Sequence, residues 1–148
     1  DTEHVMPHLN HIVLDLIVFG GTRVIRGEIL DHPKDGVINS HPGLLPECRG
    51  SASPAWSVYH DIPVGSSTHF CDNGIDTGDI FFRQAITLSN KDNEQTLLLK
   101  PLKLGAILMV KTIKNSKLRL GKWKRVFFVE LDPMRERELI ITFINGQN

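Results

Sequence analysis

Two polar side chains, Asn39 and His41, stand two residues apart where the short apolar stretch Val37-Ile38 meets a segment rich in proline and glycine. Side chains two positions apart in an extended strand point to the same face, so the amide and the imidazole should lie side by side. Pro42 restricts His41 to extended conformations and stiffens its backbone. Ligands usually bind at the carboxyl ends of strands in open α/β sheets. The pair therefore marks a candidate site.

A third candidate group is Asp76, in the turn-rich segment 74–78. Aspartate and glycine are ordinary turn residues, so this segment is a weak signal by itself. Together with Asn39 and His41, however, a carboxylate suits acyl transfer. The amide and an imidazolium can stabilise an oxyanion, and the carboxylate can keep the imidazole protonated or relay a proton.

Simpler interpretations of these residues stay open, because Asn39 can cap a turn and His41 can be a core histidine with satisfied hydrogen bonds. Cys48 could act as a nucleophile with His41, but it lies in a proline-rich loop without a dedicated second base, which favours an ordinary free thiol.

Three histidines near the start of the chain have the spacing of one helix face, which could bind a metal: His4, His8 and His11. Pro7 interrupts that helix, and no thiolate or carboxylate completes a ligand set at useful spacing. No metal site is expected.

The hydrophobic pattern predicts the elements that would position the candidate groups. Residues 11–19 form an apolar, β-branched run typical of a strand covered on both faces of a parallel sheet. A short helix is expected over 23–31, ended by His32-Pro33, and Val37-Ile38 is a second buried strand. Residues 40–54 contain three prolines and two glycines, so we expect a long loop.

Further helices and strands are predicted downstream: a helix at 54–60, strands at 64–71 and 79–88, and a helix at 93–114. Ser53 suits the N-cap of the first of these helices, and Pro101 should kink the second or begin a new segment. Two more strand-like runs follow at 125–131 and 138–145. Strands alternating with helices up to residue 114 predict an α/β sheet.

Composition excludes several classes of function. Seventeen basic and seventeen acidic residues among 148 give no net charge, so there is no overall electrostatic attraction for nucleic acid or an anionic membrane. The basic segment 111–124 is offset by an acidic run near 130–138, so we expect a solvated face there. No apolar run approaches the roughly 18 residues that span a bilayer. Two cysteines cannot form a disulfide framework. A soluble, cytoplasmic globular protein is the expectation.

The ordered motifs resemble those of the folate-dependent formyltransferases. They are the segment 39–46 with the pattern NxHPGLLP, then Arg49-Gly50, and then His69 seven residues before Asp76 in GIDTG. The resemblance covers residues 11–114 and implies a partial Rossmann-like sheet, mostly parallel, with helices on its faces and a short C-terminal β extension. We expect residues 1–114 to be the C-terminal part of a catalytic domain and 115–148 to be the β-rich extension.

The resemblance implies transfer of a formyl group from 10-formyltetrahydrofolate to a primary amine. Asn39 and protonated His41 would donate hydrogen bonds to the developing oxyanion. Asp76 would raise the basicity of His41 and, through water, help to remove the amine proton. The folate-binding residues that it implies flank the site on two sides: Arg23, Val24, Ile25, Asp72, Gly74 and Ile75.

The motif HPGLLP, followed by Trp56, is most similar to the sequences of the sugar-modifying members of the family. An amino sugar, nucleotide-linked, is therefore the first acceptor to consider. Glycinamide ribonucleotide and methionyl-tRNA are the alternatives, and the short segment after the long helix disfavours the tRNA substrate. A catalytically inactive remnant that binds folate or a partner chain is a different class of interpretation.

Family members carry a strand, a phosphate-binding loop and further βα units before the segment that corresponds to 11–19. Only ten residues precede it here. A sheet cut at this place would expose a hydrophobic strand edge, which natural proteins pair or cover. A homo-oligomer or a companion N-terminal segment is therefore expected to cover that edge.

Overall fold

The computed structural model describes residues 2–21, 24–115 and 126–128. Nine elements follow one another along this part of the chain: α1 (Thr2–Leu9), β1 (Leu16–Phe19), α2 (Glu28–Asp31), β2 (Val37–His41), α3 (Ser53–Tyr59), β3 (Gly65–Phe70), β4 (Ile80–Ala85), α4 (Glu94–Asn115) and β5 (Val126–Phe128). Within the described residues, no helix is both long enough and apolar enough to cross a membrane.

The five strands form one sheet in the order β4-β3-β2-β1-β5. β1 is parallel to β2 and to β5, whereas the pairings of β2 with β3 and of β3 with β4 are antiparallel. The α/β class is confirmed, but the sheet is mixed where a mostly parallel one was expected. The link 71–79 between β3 and β4 has too few residues for a parallel crossover, which needs about a dozen or more, so the chain must return antiparallel.

β1 is buried along its whole length, as its apolar composition predicts. Ile17 and Phe19 pack on one face in the cluster that includes Ile29 of α2, and Leu16 and Val18 pack on the other face with Met109 of α4. The strand is shorter than the predicted run 11–19. Its neighbour β2 begins only at Val37, which pairs with Ile17. Before that point, the Lys34 and Asp35 N–H groups donate to the Leu14 and Asp15 carbonyls, outside the strand pair.

The N-terminal helices differ most from expectation. α2 has four residues instead of the predicted 23–31, because Gly27 adopts φ 82 immediately before it and interrupts helical geometry. α1 was not predicted, since Pro7 lies inside it, yet Met6 and Leu9 pack against the core. α4 continues as one helix through Pro101. The predicted strand 125–131 is represented by β5, and the run 138–145 lies outside the described residues.

Gly105 allows α4 to approach β2 and β3 closely. A Cβ atom at this position would stand 2.3 Å from the Ser40 Oγ and 2.8 Å from the Ser66 Oγ. Farther along the helix, the buried Thr112 Oγ1 lies 2.7 Å from the Thr68 Oγ1. Hydroxyl groups of the sheet therefore meet the helix directly beneath the site.

Replacing Gly105 with alanine is expected to destabilise the protein by about 1–2 kcal/mol. Overpacking against the two serines typically costs about 1–3 kcal/mol, and the better helix propensity of alanine recovers up to about 1 kcal/mol. Urea unfolding followed by circular dichroism measures the change, with Lys103→Ala on the exposed side of α4 as the control. A Gly105→Ala midpoint at or above that of the parent would contradict the close packing.

Candidate active site

β2 and β3 place four polar side chains on one face of the sheet. Asn39 and His41 alternate with Ser40 along β2, and across the strand pair Asn39 faces His69 while His41 faces Ser67. Directly opposed residues share a face, so the amide and the two imidazoles lie together. This arrangement agrees with the expectation that Asn39 and His41 point the same way.

The hydroxyl groups of β3 fix the backbone on which His41 sits. Ser66 Oγ donates to the His41 carbonyl at 2.8 Å, and Ser67 Oγ donates to the Gly43 carbonyl at 2.8 Å. The Leu45 N–H in turn donates to Ser67 Oγ at 3.0 Å. These hydrogen bonds satisfy the hydroxyl groups of β3, so residues 65–69 can be polar and buried while they anchor the loop after β2.

Asp76 reaches the same place from the link between β3 and β4. Its backbone is left-handed, with φ 51, a conformation that aspartate and asparagine tolerate better than most residues. Asp72 Oδ1 stabilises the turn by accepting hydrogen bonds from the Gly74 N–H at 3.0 Å and the Thr77 hydroxyl at 2.5 Å. The Gly50 N–H donates to Asp76 Oδ2 at 2.8 Å, so the loop after β2 also holds the carboxylate.

The carboxylate of Asp76 lies between two imidazoles. Its Oδ2 is 3.5 Å from His41 Nδ1, and its Oδ1 is 3.5 Å from His69 Nε2. The two imidazole centroids are 6.4 Å apart. The side chains of His41 and His69 are only 5% and 2% exposed, and that of Asp76 is 16% exposed. Charges in such a water-poor setting interact more strongly than at a surface.

Burial lowers the pKa of His41 below its ordinary value, and the Asp76 charge and the Cys48 carbonyl offset this only in part. Burial raises the pKa of Asp76, but the facing His69, the Gly50 N–H and the His41 charge outweigh it, so that pKa is lowered overall. These directions favour a neutral imidazole beside an ionised carboxylate at neutral pH. The protonated His41 expected during the reaction stays a prediction.

A cavity of about 380 Å³ opens beside these groups. Its lining includes eight of the nine site residues predicted from the sequence: Asn39, His41, Asp76, Val24, Ile25, Asp72, Gly74 and Ile75. The ninth, Arg23, lies outside the described residues. Segments that are far apart in sequence thus converge on one cavity.

Two neighbours of His41 and Asp76 were not assigned to the site from the sequence. His69 has no predicted role beyond its motif, because its place opposite Asn39 depends on the antiparallel pairing of β2 with β3, which the sequence did not indicate. Ser53 was expected to be a helix N-cap, which is wrong: Ala52 takes that position without a side-chain hydrogen bond, and Ser53 Oγ turns inward to His41. No pattern in the sequence indicated that contact.

The cysteines differ from catalytic thiols. Cys71 lines the cavity, but burial and the nearby Asp76 and Asp72 raise its pKa to about 12, so it stays a thiol. Cys48 is buried and its thiol donates to the Ser53 carbonyl at 3.3 Å. Among the described residues, no group of three or more His, Cys, Asp and Glu side chains is arranged to hold a metal ion.

The sequence profile of the formyl transferase family matches residues 2–113. The chain belongs to the formyl transferase family. A second profile, described as UPF0047 protein YjbQ-like, matches residues 91–146, a smaller part of the chain that overlaps the end of the first match.

Methionyl-tRNA formyltransferases are among the similar curated proteins. The enzyme of Thermodesulfovibrio yellowstonii is 38% identical over 106 residues, which cover 71% of this chain and 34% of that protein. The enzyme of Caldanaerobacter subterraneus is 36% identical over 118 residues, which cover 79% of this chain and 37% of that protein. The chain spans about a third of the length of these formyltransferases.

Solved structures of formyltransferases share the fold. Glycinamide ribonucleotide transformylase 1 from Symbiobacterium toebii superposes with a TM-score of 0.67 at 25% identity, covering 75% of this chain and 53% of that one. The formyltransferase PseJ from Anoxybacillus kamchatkensis, in complex with UDP-4,6-dideoxy-4-formamido-L-AltNAc and tetrahydrofolate, has a TM-score of 0.63 at 25% identity, covering 78% and 65%. The Rossmann-like formyltransferase fold expected from the motifs is confirmed.

Proposed function

We propose that this chain forms the catalytic centre for transfer of a formyl group from 10-formyltetrahydrofolate to a primary amine. The observation that carries the proposal is the convergence of Asn39, His41 and Asp76, from two separate segments, on one cavity. An amide donor, an imidazole and a carboxylate are the groups that acyl transfer needs. Membership of the formyl transferase family supports the same reaction.

The cavity is suited to the formyl donor. Its volume falls within the range of roughly 300–1,000 Å³ that small-molecule sites occupy. Apolar side chains and residues of the link between β3 and β4 both contribute to its lining, so apolar surface and polar groups are available to a flat heterocyclic ring. These lining residues are Phe19, Val24, Ile25, Asp72, Gly74, Ile75 and Asp76. The bound donor would supply the formyl group, and Arg23 remains a proposed contact to it.

Asn39 is proposed to stabilise the oxygen on which negative charge develops. The side-chain amide makes no hydrogen bond within the described part of the chain, and its buried Oδ1 has no partner there. An amide on a rigid central strand is already oriented, so its N–H groups can donate to a charged oxygen without reorganisation. The absence of competing partners leaves that donor available.

His41 is proposed to accept the proton that the attacking amine loses. The neutral imidazole favoured by burial has a lone pair for this step. Asp76, 3.5 Å away, would stabilise the imidazolium that results. The protonated form expected from the sequence then arises during the reaction, when it can donate a hydrogen bond or return the proton to the leaving nitrogen.

The acceptor is proposed to be a nucleotide-linked amino sugar, which the similarity to PseJ supports. The similarity to methionyl-tRNA formyltransferases and to a glycinamide ribonucleotide transformylase supports the two alternatives. Residues 1–114 as the C-terminal part of a catalytic domain and 115–148 as an extension stay predictions. A homo-oligomer or a companion N-terminal segment also stays a prediction, but the edge of β1 that it was expected to cover is paired with β5 of this chain. A cytoplasmic location also stays a prediction.

Two measurements on the purified chain test the function. Calorimetric titration with tetrahydrofolate should show saturable binding, and incubation with 10-formyltetrahydrofolate should formylate one of three amines: a nucleotide-linked amino sugar, glycinamide ribonucleotide or methionyl-tRNA. Mass spectrometry detects the products. Folate binding without turnover would favour the inactive remnant, and the absence of both binding and turnover would contradict the proposal.

A further inference from the structure

The buried hydroxyl of Ser53 contacts Nε2 of His41, the ring nitrogen on the edge opposite Asp76. His41 Nε2 lies 2.8 Å from the Cys48 carbonyl oxygen and 3.0 Å from Ser53 Oγ. Ser53 Oγ also donates to the Gly50 carbonyl at 2.7 Å. Ser53 is fully buried, so these are contacts within the protein interior.

The partners of Nε2 determine which nitrogen carries the proton. A backbone carbonyl only accepts hydrogen bonds, and the hydroxyl proton of Ser53 is directed to Gly50, which leaves lone pairs toward the imidazole. Both neighbours therefore favour a proton on Nε2. Asp76 Oδ2 is an acceptor as well, but it lies 3.5 Å from Nδ1, beyond the 2.8 Å that separates Nε2 from the Cys48 carbonyl oxygen. In the neutral imidazole, Nδ1 is then unprotonated, and this is the nitrogen that faces Asp76.

The same short loop also holds the carboxylate. The Gly50 N–H donates to Asp76 Oδ2, and the Gly50 carbonyl accepts from Ser53. A hydroxyl that served only to begin α3 would bond to the helix backbone, as an N-cap does. Ser53 makes no such bond, and α3 begins after Ala52 without a side-chain cap. Its two polar contacts are directed into the site.

We propose that Ser53, with the Cys48 carbonyl, fixes His41 in the tautomer protonated at Nε2, so that Nδ1 is the nitrogen that exchanges a proton during formyl transfer. Ser53 is thus a positioning residue, which acts through His41. This inference rests on the proposed function for its catalytic part. The tautomer itself is a property of the free protein and can be measured without any turnover.

Replacing Ser53 with alanine tests the proposal. Nitrogen-15 NMR of the full chain, with histidine labelled and the His41 signals assigned from a His41→Gln variant, should show the Nε2–H tautomer in the parent. In Ser53→Ala the midpoint of the His41 titration should move to lower pH by about half a unit to one unit, because the imidazolium loses an acceptor. Asp76, His69 and Cys48 also influence the pKa of His41. They are the same in the parent and in Ser53→Ala, so they do not account for a difference between the two titrations.

The kinetic expectation is a fall in kcat of about 3- to 10-fold, equivalent to one hydrogen bond, with little change in the KM for the folate donor. Ser53→Thr, which retains the hydroxyl, should restore the parent titration. Ser57→Ala is a matched control on the same helix, since Ser57 is also fully buried but its Oγ has no partner within the described residues. It should leave the His41 titration unchanged.

Two results would overturn the inference: a parent His41 in the Nδ1–H tautomer, or a Ser53→Ala protein whose His41 titrates like that of the parent. Either can occur in a chain that transfers formyl groups, so the proposed function would survive. If the chain forms no product but the NMR results are as expected, the tautomer assignment stands and the proposed function fails.

Discussion

Asp76→Asn is expected to lower the rate of formyl transfer by about 10²- to 10⁴-fold, the usual contribution of a positioned acid–base system. The substitution keeps the size of the side chain. Asparagine also tolerates the left-handed backbone at φ 51, and its carbonyl oxygen can still accept from the Gly50 N–H. The carboxylate charge beside His41 is the main property removed.

The loss of this charge should also shift the pH dependence of the rate in a defined direction. Asp76 raises the pKa of His41 against the stronger effect of burial, so its removal should lower that pKa further. The low-pH limb of the kcat/KM profile, where His41 becomes protonated, should move to lower pH. Steady-state kinetics across the pH range measures both effects.

Asp79→Asn is the matched control for this experiment. Asp79 lies three residues further along the same link, is exposed, and is not part of the cavity lining. The same chemical change there should leave the rate within about twofold of the parent, as expected for a surface substitution. An Asp76→Asn protein that turned over at the parent rate would show that the carboxylate has no catalytic role.

Asn39→Ala should reduce kcat by about 10²- to 10³-fold, as the loss of one oxyanion donor typically does. Binding of tetrahydrofolate should change little, because the proposed hydrogen bond strengthens only as charge develops on the formyl oxygen. Calorimetry for binding and single-turnover kinetics for the chemical step separate the two effects.

Asn90→Ala provides the comparison for this second substitution. Asn90 is an exposed asparagine between β4 and α4 and does not line the cavity. It should retain the parent kcat. If Asn39→Ala instead weakened folate binding in proportion to the rate, Asn39 would be a ligand-binding residue and not an oxyanion donor.

Elements with strong local patterns could be predicted from the sequence, and those that depend on distant partners could not. β1 was recognisable because its apolar residues pack on both faces, and α4 because its core-facing stripe is long. The direction of β3 had no local signal. Its polar composition is compatible with burial only because its hydroxyl groups bond to the loop after β2.

In the candidate site, too, residues with a local sequence pattern could be predicted and residues placed by distant partners could not. Asn39 and His41 could be paired from the strand period, and the motifs linked them to Asp76. The placement of His69 opposite Asn39 required the antiparallel register. The inward turn of Ser53 depended on Ala52 taking the left-handed conformation at the start of α3, which the sequence did not indicate.

The state of the two cysteines makes this chain convenient for chemical labelling. Thiol-directed dyes react with the thiolate, and Cys71 with a pKa near 12 is almost wholly uncharged at neutral pH, while Cys48 is shielded inside the protein. A cysteine introduced on the rim of the cavity would therefore take up a fluorophore with little background from the native pair. Fluorescence from that position would report when the cavity fills, even for a ligand that the protein does not convert.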